Sequence, residues 1–234
     1  MYIMNTEKSL NLEERKLSEA VKSGNLQLVQ ELMTQGVNVN HWANEEWDEY
    51  WEDFLTPLEQ AVVMKNKNIV QVLLQAEVDV HNWRQTYICR ALDIAALLGD
   101  IEIAQMLIQP LKTQLDEYIL NPLLIHAVQG GSNEIVQILL GYGADINFVS
   151  VEGTPLLAAA SKGNLQMVKL LVEAGANVNF VSDESPFLGA LGLAAKYGHQ
   201  DVYEYLLTLV TDTDERDFAR RELPQGILRK KTQK

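Results

Sequence analysis

The chain has 234 residues, of which 47% are hydrophobic and 22% charged, the balance of a folded protein rather than a disordered one. Its 32 acidic and 19 basic residues leave a net charge of −13, which argues against direct binding of nucleic-acid phosphates. A single cysteine, Cys89, excludes an internal disulfide framework and fits a reducing, cytoplasmic setting, and no apolar run approaches the ~18 residues of a membrane span.

Residues 1–12 read as a polar lead, without the basic start and apolar centre of a signal peptide. Asn11 and Glu14 have the spacing of a capping box ahead of Leu17 and Ala20, so the first helix is expected to begin near Asn11. From there SEAVKSGNLQLVQELMTQGVNVN runs to Asn40. The same skeleton returns as TPLEQAVVMKNKNIVQVLLQAEVDVH from Thr56 to His81, and more weakly as ALDIAALLGDIEIAQMLI around Gly99. It returns again as HAVQGGSNEIVQILLGYGADIN to Asn147 and TPLLAAASKGNLQMVKLLVEAGANVN to Asn179. A last, weaker copy, ALGLAAKYGHQDVYEYLL, surrounds Gly198. The turn residues align as Gly24, Lys65, Gly99, Gly131, Gly163 and Gly198, spaced by 41, 34, 32, 32 and 35 residues.

One copy predicts its own structure. Thr154 can cap a helix whose first position is Pro155, where the missing N–H is not needed. Ala158, Ala159 and Ala160 let a second helix approach, and Gly163 supplies a left-handed turn. Leu165, Val168, Leu171 and Val172 then line one apolar face. No single pair can bury that face; stacked neighbours do. Lys65 stands at a turn position where glycine is expected, at a cost of about 1 kcal/mol if the backbone is left-handed there.

This pattern resembles the ankyrin repeat, with its period of about 33 residues and T-P-L-H-x-A signature. The resemblance implies an all-α solenoid of stacked helix-turn-helix units, with six repeats over residues 13–211. Repeat three lacks the usual ending. Gln109–Pro110 is expected to break its second helix, leaving an irregular loop over 109–121. Residues 212–234 read as a charged, partly disordered tail, with a short helix from Asp214 to Glu222 stopped by Pro224.

Between repeats one and two lies an insertion, residues 41–55, with six carboxylates and no Lys or Arg. Trp47, Tyr50, Trp51 and Phe54 fall on one stripe of a helix, acids on the other face. Two readings stay open: the stripe packs on neighbouring repeats, or it anchors a partner whose basic surface meets the acids.

In ankyrin proteins, partners dock on turn tips and on the inner face of the first helices. The resemblance places the two residues before each turn in that groove. In repeats two and three these are Val63, Met64, Leu97 and Leu98, either a greasy groove or a surface covered by the insertion. Tip candidates are Trp83, Arg84, Tyr87, Phe148 and Phe180.

Chemistry is scarce. The four histidines have no metal-binding spacing with each other, Cys89 or an acid, and no phosphate loop or nucleophile motif appears. No cofactor, metal or enzymatic activity is expected. The resulting expectation is a monomeric, non-enzymatic module that regulates, inhibits or adapts another protein, without contacting membrane or nucleic acid. The alternative is an acidic decoy that occupies the groove of a nucleic-acid-binding protein.

Overall fold

The computed structural model describes residues 12–40, 55–76, 90–112, 115–151, 153–181 and 188–232, which form thirteen helices. The chain divides into two compact units, Met1–Thr113 and Gln114–Lys234.

The first unit holds three helix pairs. They are α1 (Leu12–Lys22) with α2 (Leu26–Thr34), α3 (Pro57–Val63) with α4 (Lys67–Leu74), and α5 (Arg90–Leu97) with α6 (Ile101–Leu111). The first helices pack in a row, α1 on α3 on α5, and the second helices form a parallel row. Each second helix starts where a short polar side chain follows the turn. Asn25, Asn66 and Asp100 accept from the backbone N–H three residues on, at 3.1, 3.2 and 3.1 Å. Thr56 starts α3 with a full capping box: its hydroxyl accepts from Glu59 N, and its own N–H donates to the Glu59 carboxylate. Leu17, Val21, Leu58, Val62, Ile69, Leu92, Ile103 and Leu107 fill the space between the rows. Lys65 does take the left-handed turn, at φ +52°.

The second unit pairs α7 (Glu117–Gly130) with α8 (Asn133–Gly141), α9 (Pro155–Lys162) with α10 (Leu165–Glu173), and α11 (Ala190–Lys196) with α12 (Gln200–Leu207). A last helix, α13 (Thr213–Thr232), follows. Here too first helices pack on first helices, and α13 lies against α11 where the next repeat would begin. Asparagine side chains tie neighbouring tips together. Asn147 Oδ1 accepts from Asn177 N at 2.8 Å, and Asn179 Oδ1 from Thr211 N at 2.8 Å.

Two expectations change. The loop over 109–121 is mostly helix. α6 continues through Pro110 to Leu111, because Leu107, Ile108 and Leu111 are all buried and hold the last turn against the core. α7 begins at Glu117, a turn before Pro122, because Asp116 accepts from Ile119 N at 3.1 Å and caps it early. The tail is also helix, a single one from Thr213 to Thr232 that passes through Pro224. Proline removes one intrahelical hydrogen bond, but Gly226 beyond it is buried against the end of α11. That packing carries the helix onward.

Candidate functional site

The end of α3 turns Ala61 and Val62 inward and leaves Val63 and Met64 outward, 43% and 54% exposed. The end of α5 does the same, burying Ala95 and Ala96 and leaving Leu97 and Leu98 44% and 39% exposed. Since α3 packs on α5, the four side chains occupy matching positions on adjacent helices and form one apolar strip on the first unit. The alanines explain the arrangement: small residues on the inner side bring the rows together, while the larger ones project. Other repeats place Lys22–Ser23, Ser161–Lys162 or Lys196–Tyr197 there, so the strip belongs to repeats two and three. Each of its side chains would gain about 1.5–3 kcal/mol on full burial, less in proportion to what is already covered.

The other predicted site residues divide. Trp47, Tyr50, Trp51, Trp83, Arg84 and Tyr87 lie outside the described residues. Phe148 and Phe180 sit half-buried at equivalent tips of the second unit. Their backbone N–H groups close turns onto Asp145 O and Asn177 O, at 3.1 and 3.3 Å. Sequence reasoning missed Val149 and Val151 beside Phe148, both exposed at a tip closed by mutual hydrogen bonds between Ser150 and Gly153. The signal was there, since Phe-Val-Ser opens both tips in the sequence.

Titratable groups in unusual surroundings are all occupied by the scaffold. Burial pushes the Glu59 carboxyl up, against the lowering effects of its hydrogen bonds to Thr56 and of the Arg90 charge. Burial likewise raises Glu215, although the N–H groups of Gly192 and Leu191 favour its ionised form. His199 is pushed down, first by burial and also by the Lys230 charge, with the Ser161 carbonyl and Asp201 opposing. Its Nε2 lies 2.9 Å from the Ser161 carbonyl, which can only accept, so that nitrogen carries the proton. Its Nδ1 then accepts from Lys230 Nζ at 2.9 Å. A cleft of about 410 Å³ between α4 and α6 is lined by Gln71, Leu74, Gln75, Met106 and Pro110, with no titratable side chain. Among the described residues there is no cluster of His, Cys, Asp or Glu able to hold a metal, and no helix long and apolar enough to cross a membrane. His41, His81 and Cys89 lie outside those residues.

Comparison with known proteins identifies the scaffold. An ankyrin repeat protein of fowlpox virus (strain NVSL) is 29% identical over 128 residues, which are 55% of this chain and 28% of that protein. The chain therefore matches little more than a quarter of that relative's length. Among solved structures, the ankyrin repeat domain of Bcl-3, an IkappaB family member, superposes with a TM-score of 0.64 at 27% identity. That similarity covers 85% of this chain and 87% of the other. The human ASB11 ankyrin repeat domain shares the fold, with a TM-score of 0.65 at 24% identity, over 88% and 97% of the two chains. Residues 17–118 and 123–217 match the family model described as ankyrin repeats in three copies. Ankyrin repeats generally serve as protein–protein interaction modules, and this chain belongs to the ankyrin-repeat family.

Proposed function

We propose that the chain is a non-enzymatic module that binds and regulates one target protein, as an adaptor or inhibitor, through the apolar strip of Val63, Met64, Leu97 and Leu98. The observation that carries this reading is the exposure of those four large apolar side chains at corresponding positions of two packed helices. Scattered exposed leucines are ordinary, but a contiguous strip costs solubility unless a partner covers it. The aromatics Trp47, Tyr50, Trp51, Trp83 and Tyr87, with Arg84, have the composition of interface anchors and would extend the contact. The net charge of −13 favours a target with a basic surface, mainly through faster encounter.

The test is affinity capture from source-cell lysate, followed by mass spectrometry. Wild type is compared with Met64→Ser/Leu98→Ser and with Trp47→Ala/Trp51→Ala, each checked by thermal melting. A protein captured by wild type and lost by the folded Met64→Ser/Leu98→Ser variant supports the strip. Equal capture by both removes it from the interface.

A further inference from the structure

The second unit carries a surface of the opposite sign to the chain as a whole. The C-terminal ends of α9 and α11 bring Lys162 and Lys196 to equivalent positions on packed helices. The last turns of α13 come to the same place, which the contacts fix. Lys230 Nζ reaches His199 Nδ1 at 2.9 Å, and His199 in turn reaches the Ser161 carbonyl on α9 at 2.9 Å. Arg229 Nη1 donates to the Lys196 carbonyl at 3.4 Å, and Lys231 follows, exposed.

Five cations are thus brought together; of the acids, Asp201 acts on His199 and Glu222 pairs with Arg229 at 2.7 Å. Lys162, Lys196, Lys230 and Lys231 have no carboxylate partner among the described residues. His199 donates through Nε2 to the Ser161 carbonyl and accepts through Nδ1 from Lys230, the arrangement of a neutral imidazole, so it is not counted among the cations. Helix C-termini each present roughly half a negative charge, so α9, α11 and α13 together offset between about one and two of the cations. The corner stays positive. Tyr197 lies within it, 46% exposed, with Lys196 Nζ 5.7 Å from its ring centre.

We propose that this corner, Lys162, Lys196, Tyr197 and Lys230–Lys231, docks a short acidic segment of a partner protein. Charge complementarity selects the occupant, and the size of the positive region limits it. Screening confines attraction to about 8–10 Å at ordinary salt, so a short run of carboxylates feels the lysines alone. An extended polyanion, a nucleic acid or an anionic membrane, overruns the corner and meets the remainder of a chain whose net charge is −13. Tyr197 supplies the apolar contact that holds one residue of the segment in register. This surface is independent of the apolar strip and needs no assumption about it.

The probe is a fluorescein-labelled peptide of Glu and Asp with one central Leu, titrated with the full chain and read by fluorescence anisotropy. Binding is expected, weakening as salt rises from about 50 to about 300 mM. Lys162→Glu/Lys196→Glu/Lys231→Glu is expected to lose at least about tenfold in affinity, and Lys162→Gln/Lys196→Gln a smaller, measurable factor. Lys16→Glu/Lys22→Glu in the first unit is expected to bind as wild type does. Equal loss in the Lys16/Lys22 variant, or none in the corner variants, overturns the proposal. So does tighter binding of oligothymidylate or of phosphatidylserine vesicles than of the peptide.

Discussion

The Glu215 carboxylate, on α13, accepts a hydrogen bond from Gly192 N at 3.1 Å and so caps the start of α11, a helix 23 residues earlier in the chain. Thr56 and Thr154 cap their own helices at this place in the repeat, but α11 follows Gly189, which has no side chain to do so. A Cβ at residue 189 would stand 2.3 Å from the Glu215 carboxylate, so the missing side chain makes room for the one that replaces it. Glu215→Ala therefore leaves buried N–H groups unpaired and is expected to cost about 1–3 kcal/mol. Gly189→Ala is expected to destabilise by displacing the same carboxylate. The two changes should be strongly non-additive in a urea-unfolding double-mutant cycle; simple additivity would mean that Glu215 does not cap α11.

The pH dependence follows from the same residue and from Glu59. Both carboxyls are held above their ordinary 4.5 by burial. A carboxyl raised in the folded state binds its proton more tightly there than in the unfolded chain. Its contribution to stability is therefore fully present below about pH 4.5 and is lost as pH rises through the folded value. His199, lowered from 6.5, acts in the opposite sense: its contribution is present above pH 6.5 and lost as pH falls through its folded value. Glu59→Gln/Glu215→Gln should thus lose less stability than wild type between pH 5 and pH 7. Parallel melting-temperature profiles for the two proteins would rule out that assignment.

Much of this was readable in advance, and the exceptions share a cause. The turn at Lys65, the cap at Thr154, and the exposed pairs Val63–Met64 and Leu97–Leu98 all depend on residues a few positions apart. Local spacing is enough for those. The early start of α7 at Asp116 was hidden by Pro122, which by itself reads as a first helical position. The length of α13 was hidden by Pro224, because its continuation depends on Gly226 meeting Gly198, a contact no periodicity reports. Glu215 looked like one acid in a charged tail, although it is 0% exposed. The aromatic residues of 41–54, prominent in the sequence, lie outside the described residues.

Lys65 is a place where the scaffold can be improved. Its φ of +52° is left-handed, a region that costs a residue with a Cβ about 1–2 kcal/mol. Glycine removes that strain but adds disorder to the unfolded chain, worth about 0.5–1 kcal/mol. Lys65→Gly is accordingly expected to stabilise by somewhat under about 1 kcal/mol, measured by urea unfolding. Lys65→Ala, which keeps the Cβ, should give no gain. If the two variants behave alike, the left-handed turn is not the source of strain.

The later half of α13 docks through one close crossing. A Cβ at Gly226 would fall 2.0 Å from the Ala195 carbonyl oxygen, and one at Gly198 would fall 2.6 Å from the Gly226 backbone. Those obstacles are backbone, which cannot rotate aside as a side chain does. Gly226→Ala is therefore expected to push the later half of α13 away from α11, breaking the contacts of Arg229 with Lys196 and of Lys230 with His199. The loss should exceed the few tenths of a kcal/mol typical of exposed helix positions, and ordinarily an alanine would favour a helix by about 1 kcal/mol over glycine. Limited proteolysis separates the outcomes. Cleavage after Arg229 or Lys230 should accelerate in Gly226→Ala while sites in α9 stay protected. An alanine variant that resists protease as well as wild type, or melts higher, would mean that α13 is held elsewhere along its length.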